Sequence, residues 1–217
     1  VFFKNSFFIS TVSTLGAVAS SAIVAYGFSR CRFRGRKVLF AAMLVSMMLP
    51  FQVIMIPQYL WFKVLGWTNS FKPLIVPYFF GQGFFIYMIM NFIDGIPREL
   101  DEAAKIDGAG KKQLLTNVTL PMMMPSITIC TFLTLTNSFK LFDQNLALTG
   151  GAPGIVSQGS GTMVYQTEMM ALNIYNTFYA NQNSRGVGQA EGVIFFVIVV
   201  IIALIQLYFT RRKEVQQ

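Results

Sequence analysis

The 217-residue sequence predicts an all-α integral membrane protein, and three observations carry that prediction. The chain is 54% apolar and only 12% charged, about half the charged share of a soluble globular domain, with a mean hydropathy of +0.54. Five uncharged stretches have the length of membrane-crossing helices. Lysine and arginine gather on one set of the connections between them. Low charge with high hydrophobicity excludes a disordered chain, and the same balance excludes a water-soluble enzyme. Histidine is absent, which removes the commonest general base and the commonest metal ligand. Cys31 and Cys130 make neither a disulfide framework nor a paired metal spacing. The net charge of +8 sits at the ends of apolar stretches, which marks topology rather than nucleic-acid binding.

The uncharged stretches are Asn5–Ser29, Val38–Phe62, Pro73–Ile93, Gln113–Phe139 and Gly192–Thr210, of 25, 25, 21, 27 and 19 residues. About 20 apolar residues cross the hydrocarbon core as a helix. The chain is thus read as one transmembrane domain, 1–217, with spans at about 5–29, 38–62, 73–93, 116–139 and 192–210. A further gap, Gln144–Thr167, holds Gly150, Gly151, Gly154, Gly159, Gly161 and Pro153. Its backbone could not satisfy itself in lipid, so it is an extramembrane loop.

Twelve basic residues lie on one side: Arg30, Arg32, Arg34, Arg36, Lys37, Arg98, Lys105, Lys111, Lys112, Arg211, Arg212 and Lys213. Five lie on the other: Lys4, Lys63, Lys72, Lys140 and Arg185. The twelve mark the cytoplasmic side, with the C-terminus inside and the N-terminus outside. Trp61 and Trp67 fall in the short outer loop, where interfacial indoles are at home. An outside start at Val1 leads to the expectation of a further helix upstream, six in the full-length protein.

Polar groups within spans are candidates for a solute path, although helix packing is the commoner role of Ser and Thr. Ser10, Thr11, Ser13, Thr14, Ser20 and Ser21, with Gly16 and Ala19, make the first span a packing helix. Gln82, between Gly81 and Gly83, offers an amide donor and acceptor at a place where a helix can bend. Asn137 and Ser138, at the outer end of the fourth span, are the other candidate path residues. The five spans hold no ionisable residue, which counts against an ion-coupled secondary transporter.

The loop at 94–118 carries the informative motif. In Ile96-Pro-Arg-Glu-Leu-Asp-Glu-Ala-Ala-Lys-Ile-Asp-Gly-Ala-Gly110, Pro97 suits a first helical turn. Glu99, Asp101 and Glu102 favour the positive end of the dipole, and Asp101 and Lys105 are spaced for an i,i+4 pair. Gly108 suits a left-handed C-terminal cap, and a second short helix is expected from Gly110 towards Leu120-Pro121. The spacing Glu102-Ala103-Ala104, three residues, Gly108, nine residues, Val118, one residue, Leu120-Pro121 resembles the EAA loop of ABC importer permeases. In that family the loop is a coupling helix docked on a cytoplasmic ATPase dimer. The resemblance implies coupling roles for Glu102, Ala103, Ala104, Asp107, Gly108, Leu120 and Pro121, and a type I permease fold.

The Ile106-Asp107-Gly108 form of the loop, the Ile96-Pro97 flank, Leu49-Pro50, Ile56-Pro57 and Leu65-Gly66-Trp-Thr-Asn69 resemble the carbohydrate branch, of the maltose type. From Thr119 onward, Asn137-Ser-Phe-Lys-Leu-Phe-Asp143 and Leu148-Thr-Gly-Gly151 are similar to the partner permease of such pairs. The resemblance implies a sugar or oligosaccharide importer in a bacterial cytoplasmic (inner) membrane. Its partners would be the ATPase, a second permease and an extracytoplasmic sugar-binding protein. No phosphate-binding Gly-rich loop with Lys-Ser/Thr occurs here, so ATP hydrolysis is expected on a partner chain. No cofactor is expected. A permease for another solute, such as an amino acid or polyamine, and an ion-coupled transporter stand as the alternatives.

Overall fold

A computed structural model describes residues 1–106, 108–110, 113–156, 163–180 and 182–212. The first span is one helix, α1 (Phe2–Arg30). It lies at the centre of the bundle, and its buried side is made mostly of small residues, among them Ser6, Ser10, Ser13, Gly16, Ala17, Ser21 and Ala25. A Cβ on Gly16 would stand 2.6 Å from the Phe79 ring, so the missing side chain is what lets that aromatic seat. Small residues of this kind bring helices close where lipid supplies no hydrophobic drive. Ala19, expected in the same packing set, faces outward instead.

The uncharged stretch 38–62 departs from the single helix expected of it. It forms α2 (Arg36–Met47) and α3 (Phe51–Val64), which meet at 103°. Pro50 is the reason: it caps the start of α3 at φ −61, and proline disfavours helical backbone in the residue before it. Each piece spans roughly 20 Å at 1.5 Å per residue, short of the hydrocarbon core of about 30 Å.

The third span is also broken. A short helix, α4 (Lys72–Ile75), continues as a 3₁₀ turn over Val76–Phe80 and stops at Gly81, whose φ is +80. Helix α5 (Gly83–Asp94) resumes after Gln82. This composite lies alongside α1 in parallel. Ser13 Oγ donates to the Leu74 carbonyl, Ser20 Oγ to Tyr78 and Ser29 Oγ to Met90, each at 3.3 Å. Because α1 and α5 point the same way, residues 31–71 must carry the chain back to the other end, and α2 and α3 do so together.

Past α6 (Arg98–Ile106) the second short helix expected from Gly110 towards Leu120-Pro121 is, among the described residues, the beginning of the fourth span itself. A π-helical turn over Leu114–Thr119 runs without interruption into α7 (Leu120–Phe139). Pro121 lacks an N–H and its ring crowds the preceding turn, and widening that turn is how a helix absorbs such a defect. The Gly-rich connection that follows is more ordered than a plain loop. It holds α8 (Asp143–Leu148) and an antiparallel pair, β1 (Gly154–Val156) with β2 (Met163–Tyr165), in the register Ile155 to Val164. Gly159 and Gly161 lie outside the described residues. Helix α9 (Met170–Ala180) then packs on the last span, α10 (Arg185–Arg211).

Two clusters fill the bundle. One gathers Phe28, Phe85, Ile89, Ile93, Ile96 and Met123. The other gathers Ile9, Phe62, Leu74, Leu141, Leu148 and Met169, with Trp67 packed against it. They sit at opposite ends, the first beside α6 and the second beside the Gly-rich segment.

Candidate functional site

Helix α6 ends as its sequence demands. Gly108 has φ +82, and the Ala109 N–H donates back to the Ala104 carbonyl at 2.9 Å, the wrap-around bond of a Schellman cap. Gly110 N–H donates to Gln113 Oε1 at 2.9 Å, the returning half of a capping box. The motif therefore folds as a short helix, a tight reversal and a second helix that becomes a span.

The placement of the motif residues divides them. Glu99, Glu102, Ala103 and Ile106 are exposed on one face of α6, and Ile106 is 86% exposed. Asp101 and Ala104 turn towards the bundle. Gly108 is exposed, with open space where a Cβ would stand. Leu120 and Pro121 belong to the first turn of α7, beyond the π turn, and not to α6. Asp107 lies outside the described residues, as do the basic residues Lys111, Lys112 and Lys213 and the side chains of Arg98 and Lys105. The outward face of α6 thus mixes two carboxylates with Ala103 and Ile106, a surface suited to a partner with an apolar cleft and basic rim.

Asp101 makes a contact that its sequence neighbours did not announce. Its Oδ2 lies 3.3 Å from Arg30 Nη1, and both side chains are nearly buried. Arg30 Nη2 also donates to the Ile93 carbonyl at 3.1 Å and to the Ile96 carbonyl at 3.2 Å. Read in sequence, Arg30 is only the first of a basic run. The signal that could have separated it is helical phase, since Arg30 still belongs to α1 while Arg32 and Arg34 lie past its end.

The three candidate path residues are not brought together. Gln82 sits at the break before α5, half-buried, and its backbone N–H donates to Ser21 Oγ at 3.0 Å. Asn137 is exposed at the far end of α7, whereas Ser138 is 1% exposed and its hydroxyl has no hydrogen-bond partner. An apolar hollow of about 560 Å³, lined in part by Val24, Phe28, Met43 and Ile86, includes none of the three.

The segment beyond α7 is pinned by two asparagines. Asn145 is fully buried. Its Nδ2 donates to Thr149 Oγ1 at 2.8 Å and to the Thr167 carbonyl at 2.9 Å, and its Oδ1 accepts the Met169 N–H at 3.0 Å. Asn5 Nδ2, at the start of α1, donates to the carbonyls of Gln166 and Glu168 at 2.7 and 2.9 Å. The Glu168 carboxylate is itself buried and accepts from Asn176 Nδ2 at 2.7 Å. Burial pushes its pKa up, against the pull of the Asn176 and Asn173 amides. Tyr175 lies between Phe142 and Tyr179, tilted at 48° and 46° to them, with ring centroids 4.8 and 4.6 Å away. Asn145 did not stand out in the sequence, because it acts through partners as far as 24 positions along the chain.

The family described as binding-protein-dependent transport system inner membrane component matches residues 15–215. The chain belongs to that family. This membrane component is 45% identical over 134 residues to the probable starch degradation products transport system permease protein AmyD of Thermoanaerobacterium thermosulfurigenes, covering 62% of this chain and 42% of the relative. It is 30% identical over 142 residues to the trehalose/maltose transport system permease protein MalG of Thermococcus litoralis, covering 65% and 51%. The chain spans about half the length of the curated relatives it matches. Its fold is that of a bacterial ABC importer of the acidic polysaccharide alginate, at a TM-score of 0.74, 19% identity, and 97% and 78% coverage. It is also that of the MetNI methionine ABC transporter, at a TM-score of 0.72, 16% identity, and 97% and 94% coverage. The permease is therefore a mostly helical, multi-pass inner-membrane transport component of the type I importer fold, with one short β-hairpin outside the spans.

Proposed function

We propose that this permease carries a sugar or oligosaccharide inward and is driven through α6 by a separate ATPase. The observation that carries the reading is the exposed face of α6. It presents Glu102, Ala103 and Ile106 beside an open Gly108, on a helix attached to the bundle through its opposite side. In this reading the end of the bundle bearing Arg30 and α6 is cytoplasmic. The opposite end, with the aromatic cluster and the Gly-rich segment, receives a sugar-loaded binding protein. A second permease completes the path, and ATP is hydrolysed on the partner chains. The alginate and methionine importers share one fold, so the fold does not choose the solute. Support for sugar comes from the names of the curated relatives and from the Ile106-Asp107-Gly108 form of the loop.

The test separates cap from docking. Asn tolerates the left-handed backbone of Gly108, so Gly108→Asn keeps the cap while placing a side chain on the docking face. Together with Glu102→Lys, it should abolish co-purification of the ATPase and uptake while leaving membrane insertion intact. Sugar-stimulated ATP hydrolysis at the parent rate in either variant would remove α6 from the coupling role.

A further inference from the structure

We propose that Arg30 is a positioning residue: its guanidinium locks the coupling helix α6 to the paired ends of α1 and α5, so that the three move as one body. The proposal rests on α6 being the ATPase-docking helix. Three helix termini converge on this one side chain. Arg30 lies in the last turn of α1 and donates to the Ile93 carbonyl at the end of α5 and to the Ile96 carbonyl just beyond. Helix C-termini carry partial negative charge, which favours a cation there. Asp101 lies in the first turns of α6, where an anion is favoured. One cation thus complements two carbonyl ends and a carboxylate.

The fork of the guanidinium is what makes this possible. Its planar donors reach several acceptors in fixed directions, which a lysine ammonium does not match. Nη1 faces Asp101 while Nη2 serves both carbonyls. The side chains of Arg30 and Asp101 are 11% and 13% exposed, and Arg30 Nε and Asp101 Oδ1 are buried without a hydrogen-bond partner. Water therefore does little to replace either group if its partner is lost, and a half-broken buried pair is strongly unfavourable. Helix α1 is fastened to the third span elsewhere as well, to α5 itself through Ser29 and to the segment before α5 through Ser13, Ser20 and Ser21. Arg30–Asp101 is the ion pair found among the described residues, and it is the one that reaches α6. Loss of Arg30 should free α6 and leave α1 and α5 together.

The experiment measures spin-label distances in the assembled transporter in lipid nanodiscs, with Cys31 and Cys130 replaced. One label pair, Leu100→Cys with Ile23→Cys, reports α6 against α1 from a position outside the docking face. A second pair, Ile23→Cys with Tyr87→Cys, reports α5 against α1. The parent should give one narrow distance for each pair. Arg30→Gln and Asp101→Asn should each lose the narrow distance of the first pair and retain that of the second. The double variant should be no broader than either single one, and Arg30→Lys should recover only part of the parent signal. A first-pair distribution in Arg30→Gln that superimposes on the parent overturns the proposal. Should Arg30→Gln loosen both pairs, the near-isosteric Asp101→Asn decides, because an unchanged first pair there also overturns it. Failure of the ATPase to co-purify with the parent would sink the docking reading instead, and the distances on the permease would still judge the lock.

Discussion

The backbone N–H of Gln82 donates to Ser21 Oγ at 3.0 Å, at the break where the third span changes from a 3₁₀ turn to α5. The bond gives a partner to a donor that has no helical acceptor at that point. It also leaves the Gln82 side-chain amide uninvolved in holding the break. Ser21→Ala should therefore cost about 1–3 kcal/mol of stability, the range for leaving a buried donor unpaired, read from the thermal midpoint of the purified permease. Gln82→Ala keeps the backbone bond and should leave that midpoint unchanged while weakening sugar uptake. The opposite pattern would make Gln82 a packing residue.

Asn137 and Ser138 are neighbours in sequence with different prospects. Asn137 is exposed and neutral, with the donor and acceptor that a sugar hydroxyl needs. One lost hydrogen bond to a neutral ligand costs on the order of 1 kcal/mol, so Asn137→Ala should lower apparent affinity several-fold with assembly intact. Ser138 buries an unpartnered hydroxyl. Ser138→Ala should be neutral or mildly stabilising, because it removes a desolvated group that gains nothing. A loss of uptake in Ser138→Ala at unchanged affinity in Asn137→Ala would exchange the two roles.

Asn145 holds the segment after α7 by bonds to Thr149, Thr167 and Met169 from a fully buried position. Asn145→Ala strands the Thr167 carbonyl and the Met169 N–H together. At about 1–3 kcal/mol for each buried group left unpaired, limited proteolysis should cut between α8 and α9 in this variant and spare the parent. Asn145→Asp loses the donor and keeps the acceptor, and should fall between them. Equal protease resistance in all three would show that the segment is held by its apolar contacts.

Glu168 makes the same region sensitive to pH. Its buried carboxyl holds a proton more tightly in the folded state than at the ordinary value of 4.5. Stability from this group is therefore greatest below that ordinary value and falls as pH rises through the higher folded value, after which the cost is constant. Glu168→Gln keeps an acceptor for Asn176 without the charge. It should raise the thermal midpoint at neutral pH and flatten the midpoint's decline as pH rises above the ordinary value of 4.5. An unchanged pH profile would show that the carboxylate is not a destabilising charge in the fold.

Much of this protein was legible along the chain because membranes impose local rules. Uncharged stretches long enough to cross are visible without knowing any contact, since lipid forces each helix to satisfy its own backbone. The cap at Gly108 was legible for the same reason: a left-handed backbone and an i→i−5 bond are decided within six residues. The small-residue side of α1 was visible as composition. The break at Met48–Pro50 was legible in Pro50, a residue that punctuates a span, although charge counting by itself draws one helix there.

Only the tertiary structure decided which polar groups meet. Arg30 reaches Asp101 and the Ile93 and Ile96 carbonyls, and Asn5 reaches Gln166 and Glu168, across separations of 63 to 163 positions. Asp101 therefore pairs with Arg30 of α1, and Ser138 is buried while Asn137 is not. Charge, hydropathy and periodicity set what each segment must do by itself. A buried polar contact instead pairs two groups whose positions depend on how all the helices pack, and no local pattern encodes that distance.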